Sequence, residues 1–406
     1  MIIPKIGYNR RYLFHIETFF SVSFDFVFYS FMKNLIIFDV LIVYTESLAS
    51  SAFDISNENT TPFPKGSRSE SYNTVYSYFL KICHKFNLNA AFTTSADIVG
   101  PGICRSFWIF KNKKWLKINS PCFSNLIFDK FSPTNNDIKL RRQLLFSSDK
   151  IKPFNDPDLF NLFFDKQKTY EKLSKHCIPT ISLEDNTLKN VKNACKKLTK
   201  LINCHPNSKD FSQDIIMKDK FGAGGRHVYK FKIGESKDMF NIVNKNTNIF
   251  FIIQPFTKFD QGFSYNDCLG STDIRLIYLK DKIIQSYIRV AKTDEFRCNE
   301  HQGGSLTYLS INEIPESVVT KSNLITQILD KKHSFYALDF IVSNNGNTYL
   351  LEGNTGPGLD WNMSLKKNEI ESKKLINLVV EELSVRAKSQ SQIAFCPVSN
   401  FYPFTL

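Results

Sequence analysis

FYALDFIVSNNGNTYLLEGNTGPGLDW, residues 335–361, is the stretch on which the reading of the whole chain turns. Two apolar runs, 336–342 and 348–351, flank Ser343-Asn344-Asn345-Gly346-Asn347. Asn345-Gly346 is a strong hairpin signal, because both residues tolerate the positive φ of a type I′ turn. A two-residue turn there pairs Asn344 with Asn347, and counting outward sets Asp339 opposite Glu352. Opposed side chains lie roughly 4.5–5.5 Å apart at Cβ and like charges there repel, so this pair, inside apolar strands, calls for a cation. Asn354, two residues beyond Glu352, shares its face. Oxygens from Asp339, Glu352 and Asn354 on one face suit a hard divalent ion, with magnesium beside a nucleotide phosphate as the leading case and manganese as the alternative ion. A lysine bridging a chance acidic pair is the plainer reading of the same residues. Thr355-Gly356-Pro357-Gly358 reads as a rigid turn that holds Asn354.

Working backward from the hairpin, 273–279 and 283–290 form strands joined through Lys280-Asp281-Lys282, and alternation puts Asp273 and Arg275 on one face. TDEFRCNEHQGG, residues 293–304, is a polar loop ending in paired glycines. A helix begins in 323–329. Further back, 250–255 is an apolar strand followed by a polar loop over 260–271. A short strand over 215–217 runs into Lys218-Asp219-Lys220-Phe221-Gly222-Ala223-Gly224-Gly225-Arg226-His227, and 228–232 is a strand again. That order describes a glycine flap between strands, since G-x-x-x-x-G-K-[ST] and a helix-opening G-x-G-x-x-G are both absent. Phe164-Asp165-Lys166 precedes a helix with Tyr170, Leu173 and Cys177 on one face, ended by Pro179. A second helix covers 188–201. Forward of the hairpin, a last amphipathic helix runs to about Arg386, buried along Ile376, Val379, Val380 and Leu383. A loosely ordered tail is expected after Lys388.

The first third reads as an α/β unit over 35–150, with strands at 35–44, 90–94 and 106–111 and a helix at 72–86 bearing Val75, Phe79 and Ile82. The basic turn-rich loop 62–68 is a surface loop or a seat for an acidic substrate, and Asp156-Pro157 marks a linker. Met32-Lys33 reads as a start, with 1–31 as an N-terminal extension. Asp39 argues against a signal peptide beginning at Met32, and 19–44 is too interrupted by charge for a membrane span.

The 406 residues suggest two or three structural units. Nine cysteines, an odd number with no C-x-x-C, point to reduced thiols and a cytoplasmic setting, not to a disulfide framework or a zinc site. The net charge of +13 is spread along the chain, without zinc-finger spacing or an RNA-binding aromatic signature. It therefore favours a generally basic surface or an anionic ligand over a nucleic-acid footprint.

The order of these features resembles the ATP-grasp ligases, in the branch of the RimK-type glutamate ligase and bacterial glutathione synthetase. The segments that carry the resemblance are DIR at 273–275, IRVAKTDEFRCNEHQGG at 288–304, LDF at 338–340 and LLEGNTGPG at 350–358. A weaker match reaches back to Lys166. The resemblance implies an α/β and α+β architecture: a pre-ATP-grasp domain over 32–155, a central subdomain with the flap over 156–248 and a C-terminal subdomain over 249–387, with the tail at 388–406. It implies ATP and magnesium, and attack of a carboxylate on the γ-phosphate followed by displacement by an amine. Lys166, Lys218, Gly222, Gly224 and Gly225 match phosphate-binding positions. Gln254, Phe256 and Thr257 match the adenine hinge, and Asp273 lies beside the nucleotide. Arg275, Arg289, Arg297 and Asn299 match the catalytic loop and its arginines, with Gly303 and Gly304 shaping the loop; Asp339, Glu352 and Asn354 match the metal ligands. The substrates implied are small-molecule or peptide carboxylates and amines, with no membrane and with a homo-oligomer compatible. His227, His301 and Cys298 are read as bystanders. The chain departs from the family at Pro255, where an acidic residue is usual and an N–H is lost, and at Asp219, where proline is commoner and a less rigid flap is expected. A regulator or scaffold that has kept the fold without turnover is the competing reading.

Overall fold

Residues that alternate apolar and polar in the sequence fold as antiparallel strands here, and the polar positions meet on one face. The computed structural model describes residues 35–53, 60–133, 135–266, 270–359 and 365–393. The expected start at Met32, the segment 1–31 and residues 394–406 lie outside the described residues. Contacts divide the chain into two units, one of 1–127, 137–152 and 386–406, the other of 128–136 and 153–385.

In the first unit β1 (Val40–Tyr44) and α1 (Tyr72–Lys85) lead to β2 (Ala90–Thr94), which pairs parallel with β1. β3 (Phe107–Lys111) joins β2 antiparallel and forms a hairpin with β4 (Lys114–Ile118). Helix α1 buries Val75, Phe79 and Ile82 as their spacing predicts. The strand expected over 35–44 is broken. Ile36–Ile37 pairs with Cys122–Phe123 in a separate small sheet, and β1 starts only at Val40. Asp39 sits at the break, where its carboxylate accepts the Asn89 N–H at 2.8 Å.

In the second unit the expected linker at Asp156-Pro157 is the start of α2 (Pro157–Phe164). Asp156 Oδ1 accepts the N–H groups of Asp158 and Leu159 at 2.8 and 3.1 Å, and proline suits the first helical position, which needs no N–H. Asp165 caps α3 (Lys166–Leu173) in the same way. This helix stops four residues short of Cys177, which instead makes a parallel bridge with Leu350. Then come α4 (Leu188–Asn203), β5 (Phe211–Asp219), β6 (Val228–Lys232), α5 (Ser236–Lys245) and β7 (Phe251–Thr257). The sheet order is Ile181–Ser182, β7, β5, β6. Ile215, Met217, Phe251 and Ile253 pack on Val191, Ala194 and Leu198 of α4 and on Met239 and Val243 of α5. Alternation leaves Ile216 and Lys218 on the opposite face.

A second sheet is built from β8 (Thr272–Leu279), β9 (Lys282–Val290), β10 (Ser305–Leu309), β11 (Phe335–Val342) and β12 (Thr348–Asn354), with α6 (Glu316–Leu329) before β11 and α7 (Lys366–Ile393) after β12. Its order is β10-β9-β8-β11-β12, antiparallel throughout. One face buries Ile274, Leu276, Ile288, Leu338 and Phe340 against Val318 and Ile325 of α6. Each such side chain is worth about 1.5–3 kcal/mol when fully buried. The other face carries Asp273, Arg275, Arg289, Asp339 and Ile341. Helix α7 buries Ile376, Val379, Val380 and Leu383 as expected, but runs past Lys388, so the tail is helical to Ile393.

Ser343, not Asn344, closes the hairpin turn: its N–H donates to Asn347 O and its C=O accepts the Gly346 N–H, each at 2.8 Å. Only Gly346 takes positive φ (+82°), so the loop has three residues, not two. Asn344 is drawn into it by Asp260, which its side chain meets at 2.9 Å, and by the Gln261 N–H, which donates to Asn344 Oδ1 at 2.9 Å. The register is thereby shifted by one, with Val342 opposite Thr348 and Phe340 opposite Leu350. A bulge then absorbs Leu351 and returns Asp339 to its place opposite Glu352. Without it Glu352 would point into the core with Leu350, since a one-residue slip flips every side chain.

Candidate active site

A cleft in the second unit is walled by the inner faces of both sheets and covered by the flap between β5 and β6. Its empty space is about 870 Å³ including the open mouth. Lys166 enters it from the first turn of α3 and Lys218 from β5. Lys218 is almost fully buried and, among the described residues, makes no hydrogen bond or ion pair. Burial, reinforced by Lys166, lowers it to about 8, with Glu352 opposing. Lys166 is also lowered by burial, opposed by Glu352, Asp219 and Asp165. Its Nζ donates to Gly222 O at 2.5 Å and lies 3.5 Å from Lys220 O.

The flap runs close over these lysines. Gly224 and Gly225 adopt φ of +69° and +70°. A Cβ on Gly225 would stand 2.7 Å from Asn299 Oδ1, so glycine lets the flap meet the arginine loop. Arg297 Nη1 reaches Gly225 O at 3.5 Å, and its Nη2 pairs with Glu295 at 2.6 Å. That hydrogen bond holds the Glu295 carboxyl down to about 2. At Asp219, where proline is commoner in the family, Oδ1 accepts the Phe221 N–H at 2.9 Å, an Asx turn at the root of the flap.

On the second sheet four charged groups interlock. Arg289 grips Asp273 with two bonds of 2.8 Å and reaches Asp339 at 2.9 Å. Arg275 is bidentate on Asp339, both bonds 2.5 Å, and touches the Tyr287 hydroxyl at 3.3 Å. Burial opposes the charge of Asp339, but the two guanidiniums outweigh it and hold the carboxyl below its usual range. Arg275 Nη2 also lies 3.9 Å from Glu352. The cation that the opposed acids require is thus a guanidinium in this structure.

Among the described residues no group of three or more His, Cys, Asp or Glu side chains is arranged to hold a metal ion. The expected ligand set has two acids and an amide, all oxygen donors, which is the chemistry a hard divalent ion takes. Glu352 lines the cleft and accepts no hydrogen bond from a described residue. Asn354 Oδ1 accepts the Gly356 N–H at 2.8 Å and keeps a lone pair. A carboxylate offers about four lone-pair sites, and Asp339 spends three on the arginines. The residues therefore fit an ion held mainly by Glu352 and Asn354, with Asp339 contributing through Oδ1.

At the hinge, Gln254 donates to Thr180 Oγ1 at 2.7 Å, and Phe256 lies opposite the irregular stretch of β5 between Phe211 and Ile215. Gln254, Pro255, Phe256 and Thr257 all line the cleft. Of the sixteen residues expected to bind nucleotide or metal or to act in catalysis, thirteen line the cleft, and Arg275, Asp339 and Asn354 are not among its lining residues. The apolar slot of Ile178, Phe296, Ile341 and Leu351, and the charged Arg226, were not anticipated. Ile341 was within reach of period-2 alternation from Asp339; Leu351 is turned inward by the bulge, and Ile178 has no local signal. Cys298 is buried, its thiol pushed up by burial and directed at Ser271 O at 3.2 Å, which suits a filler. His227 is exposed beside the Tyr229 hydroxyl at 3.2 Å and does not line the cleft. The side chain of His301 lies outside the described residues.

Residues 164–379 match the RimK-like ATP-grasp domain family. A probable alpha-L-glutamate ligase of Pseudomonas savastanoi pv. phaseolicola is 33% identical over 112 residues, 27% of this chain and 35% of that protein. One of Shewanella halifaxensis is 27% identical over 146 residues, 36% of this chain and 29% of that protein. The chain thus spans about a third of the length of these curated relatives. Among solved structures, D-alanyl-alanine synthetase A of Vibrio cholerae O1 biovar eltor superposes with a TM-score of 0.53 at 13% identity, over 86% of this chain and 99% of that one. That likeness concerns the fold.

Proposed function

The chain belongs to the RimK-like ATP-grasp family, and from that premise we propose that it is an ADP-forming ligase joining a carboxylate to an amine through an acyl phosphate. Amino acids, peptides or protein tails are the substrate class. The observation that carries this reading is Lys218, a buried cation without a partner among the described residues, in a cleft that also holds Lys166, Arg289, Arg297 and Glu352. Such a charge is costly to bury alone, and a polyanion in the cleft relieves the cost.

When bound, ATP and magnesium supply the phosphoryl group and the charge neutralisation that the chemistry needs. Lys218 and Lys166 bind phosphate oxygens as point charges. The flap offers backbone N–H groups where Gly222, Gly224 and Gly225 leave no Cβ in the way. Glu352 and Asn354, with Asp339 Oδ1, would hold such an ion through their oxygens. Arg289 and Arg297 face the cleft and stabilise negative charge on the reacting group, where preorganised donors act most strongly. Arg275 orients Asp339 and Glu352 from behind. Gln254 C=O and the N–H of Phe256 or Thr257 receive the base, and the apolar slot excludes water around it.

The test is ADP release from Mg-ATP with and without pooled amino acids and acidic peptides, with mass spectrometry of the product. ADP that rises with one pool, together with a new amide, is the expected result. Tight nucleotide binding without turnover in every pool would favour a regulator that has kept the fold.

A further inference from the structure

The root of the glycine flap is tied to the start of α3 by more contacts than phosphate binding requires. Lys166 N–H donates to Lys220 O at 3.2 Å, Lys220 Nζ pairs with Asp165 at 3.2 Å, and Lys166 Nζ donates to Gly222 O. Phe221 completes the tie. Its ring stacks on Phe164 with centroids 5.0 Å apart and planes at 20°, and meets the Phe250 edge at 5.9 Å; Phe164 stacks in turn on Phe160 at 5.8 Å. The flap tip is held more weakly, by Arg297 and Gln302 bonds of 3.5 and 3.4 Å to the carbonyls of Gly225 and Gly224.

We propose that Phe221 is a positioning residue, an aromatic clasp that makes the flap root and Lys166 move as one body, so that flap and lysine reach the nucleotide phosphates together. This rests on the ligase reading above. The argument is geometric. Gly222 to Gly225 have little conformational restraint of their own, and a flap rooted only by the Asx turn at Asp219 would search many positions before meeting phosphate. Phe221 is half-buried and, among the described residues, is not part of the core clusters around Leu276, Met217 or Tyr349. The stack with Phe164 restricts two soft torsions immediately before Gly222 and ties them to the residue two positions before Lys166. The binding site is thereby organised in advance of the ligand.

The test compares Phe221→Ala, Phe221→Leu and Phe221→Tyr in the full chain by Mg-ATP affinity, steady-state kinetics and melting temperature. Phe221→Ala is expected to raise Kd and KM for ATP about tenfold, the scale of a lost aromatic pair plus lost preorganisation, with kcat changed less than threefold and Tm nearly unchanged. Phe221→Tyr, which keeps the stack, restores wild-type values, and Phe221→Leu, apolar but unable to stack, does not. Wild-type KM in Phe221→Ala would overturn the clasp, and so would equal behaviour of the Leu and Tyr variants. A wild-type protein that binds no ATP overturns the nucleotide reading itself, a failure visible before any variant is made.

Discussion

Lys218 sits at about 8 in the folded protein against an ordinary 10.5. The unfolded chain therefore keeps a proton that the folded one releases between those values. Stability of the ligand-free protein should rise with pH across that window, because a buried charge is being removed. Phosphate affinity should move the other way, since the amine that meets the phosphates loses its charge. Mg-ATP affinity measured between pH 7 and pH 9.5 is expected to weaken roughly tenfold with a midpoint near 8, the worth of one charge-assisted hydrogen bond. In Lys218→Met the same profile should be flat and already weak; a flat wild-type profile would remove Lys218 from the phosphate site. The two opposed acids should separate in a similar comparison. Glu352→Gln leaves the arginine network intact and is expected to abolish turnover without a change in Tm. Asp339→Ala strands Arg275 and Arg289 without their shared carboxylate and should cost roughly 3–5 kcal/mol of stability as well as activity, as breaking a buried pair does. Equal melting temperatures for the two variants would mean that Asp339 is no more structural than Glu352.

The β11–β12 hairpin delivers Asp339 and Glu352 to one face only because two one-residue shifts cancel. The three-residue turn slips the register, and the bulge at Leu351 returns it. The turn is held from outside by Asp210, whose carboxylate accepts from Asn345 Nδ2 at 2.7 Å, Asn347 Nδ2 at 2.9 Å and the Tyr349 hydroxyl at 2.5 Å. Asp210→Ala should therefore destabilise by about 1–3 kcal/mol, as the buried Tyr349 hydroxyl loses a charged acceptor while exposed Asn345 and half-buried Asn347 can turn to water, and chemical denaturation of the purified variant measures it. A change below about 0.5 kcal/mol would mean that the hairpin sets its own register. This element also shows what a sequence discloses and what it hides. Period-2 alternation made Asp273 and Arg275 legible as one face of β8, and the hairpin made Asp339, Glu352 and Asn354 legible as another; that Arg289 and Asp339 join the first pair follows from the strand order. The facing of Asp339 and Glu352 was read correctly, though through a turn the protein does not use, since the capture of Asn344 by Asp260 and Gln261 is a contact about 84 residues away in sequence. The neutralisation of Asp339 by two guanidiniums was hidden for the same reason. Strand order, not local pattern, sets Arg275 beside it. Asp219 is the opposite case, since its Asx turn with the Phe221 N–H is a contact between residues two apart and so within reach of local sequence reading.

Every residue that lines the cleft belongs to one of the two units, that of 128–136 and 153–385. A ligand that binds only the folded form stabilises what it binds by mass action, about 2.7 kcal/mol at a hundredfold excess over Kd. Calorimetry of the full chain should therefore show a transition that Mg-ATP moves upward and another that it leaves in place. With EDTA the ATP-dependent shift should shrink, since Glu352 and Asn354 then face the phosphates without an ion, and Glu352 itself repels them. In Glu352→Gln that logic reverses: ATP alone should stabilise more than it does in the wild type, while added magnesium contributes little. This crossed pattern needs no substrate, so it examines the metal assignment even before the carboxylate and the amine are known. A Glu352→Gln variant that still gains its full shift from magnesium would move the ion to ligands other than Glu352; a wild type whose shift is the same with EDTA and with magnesium would instead leave the nucleotide affinity to the lysines and the net +13 charge of the chain.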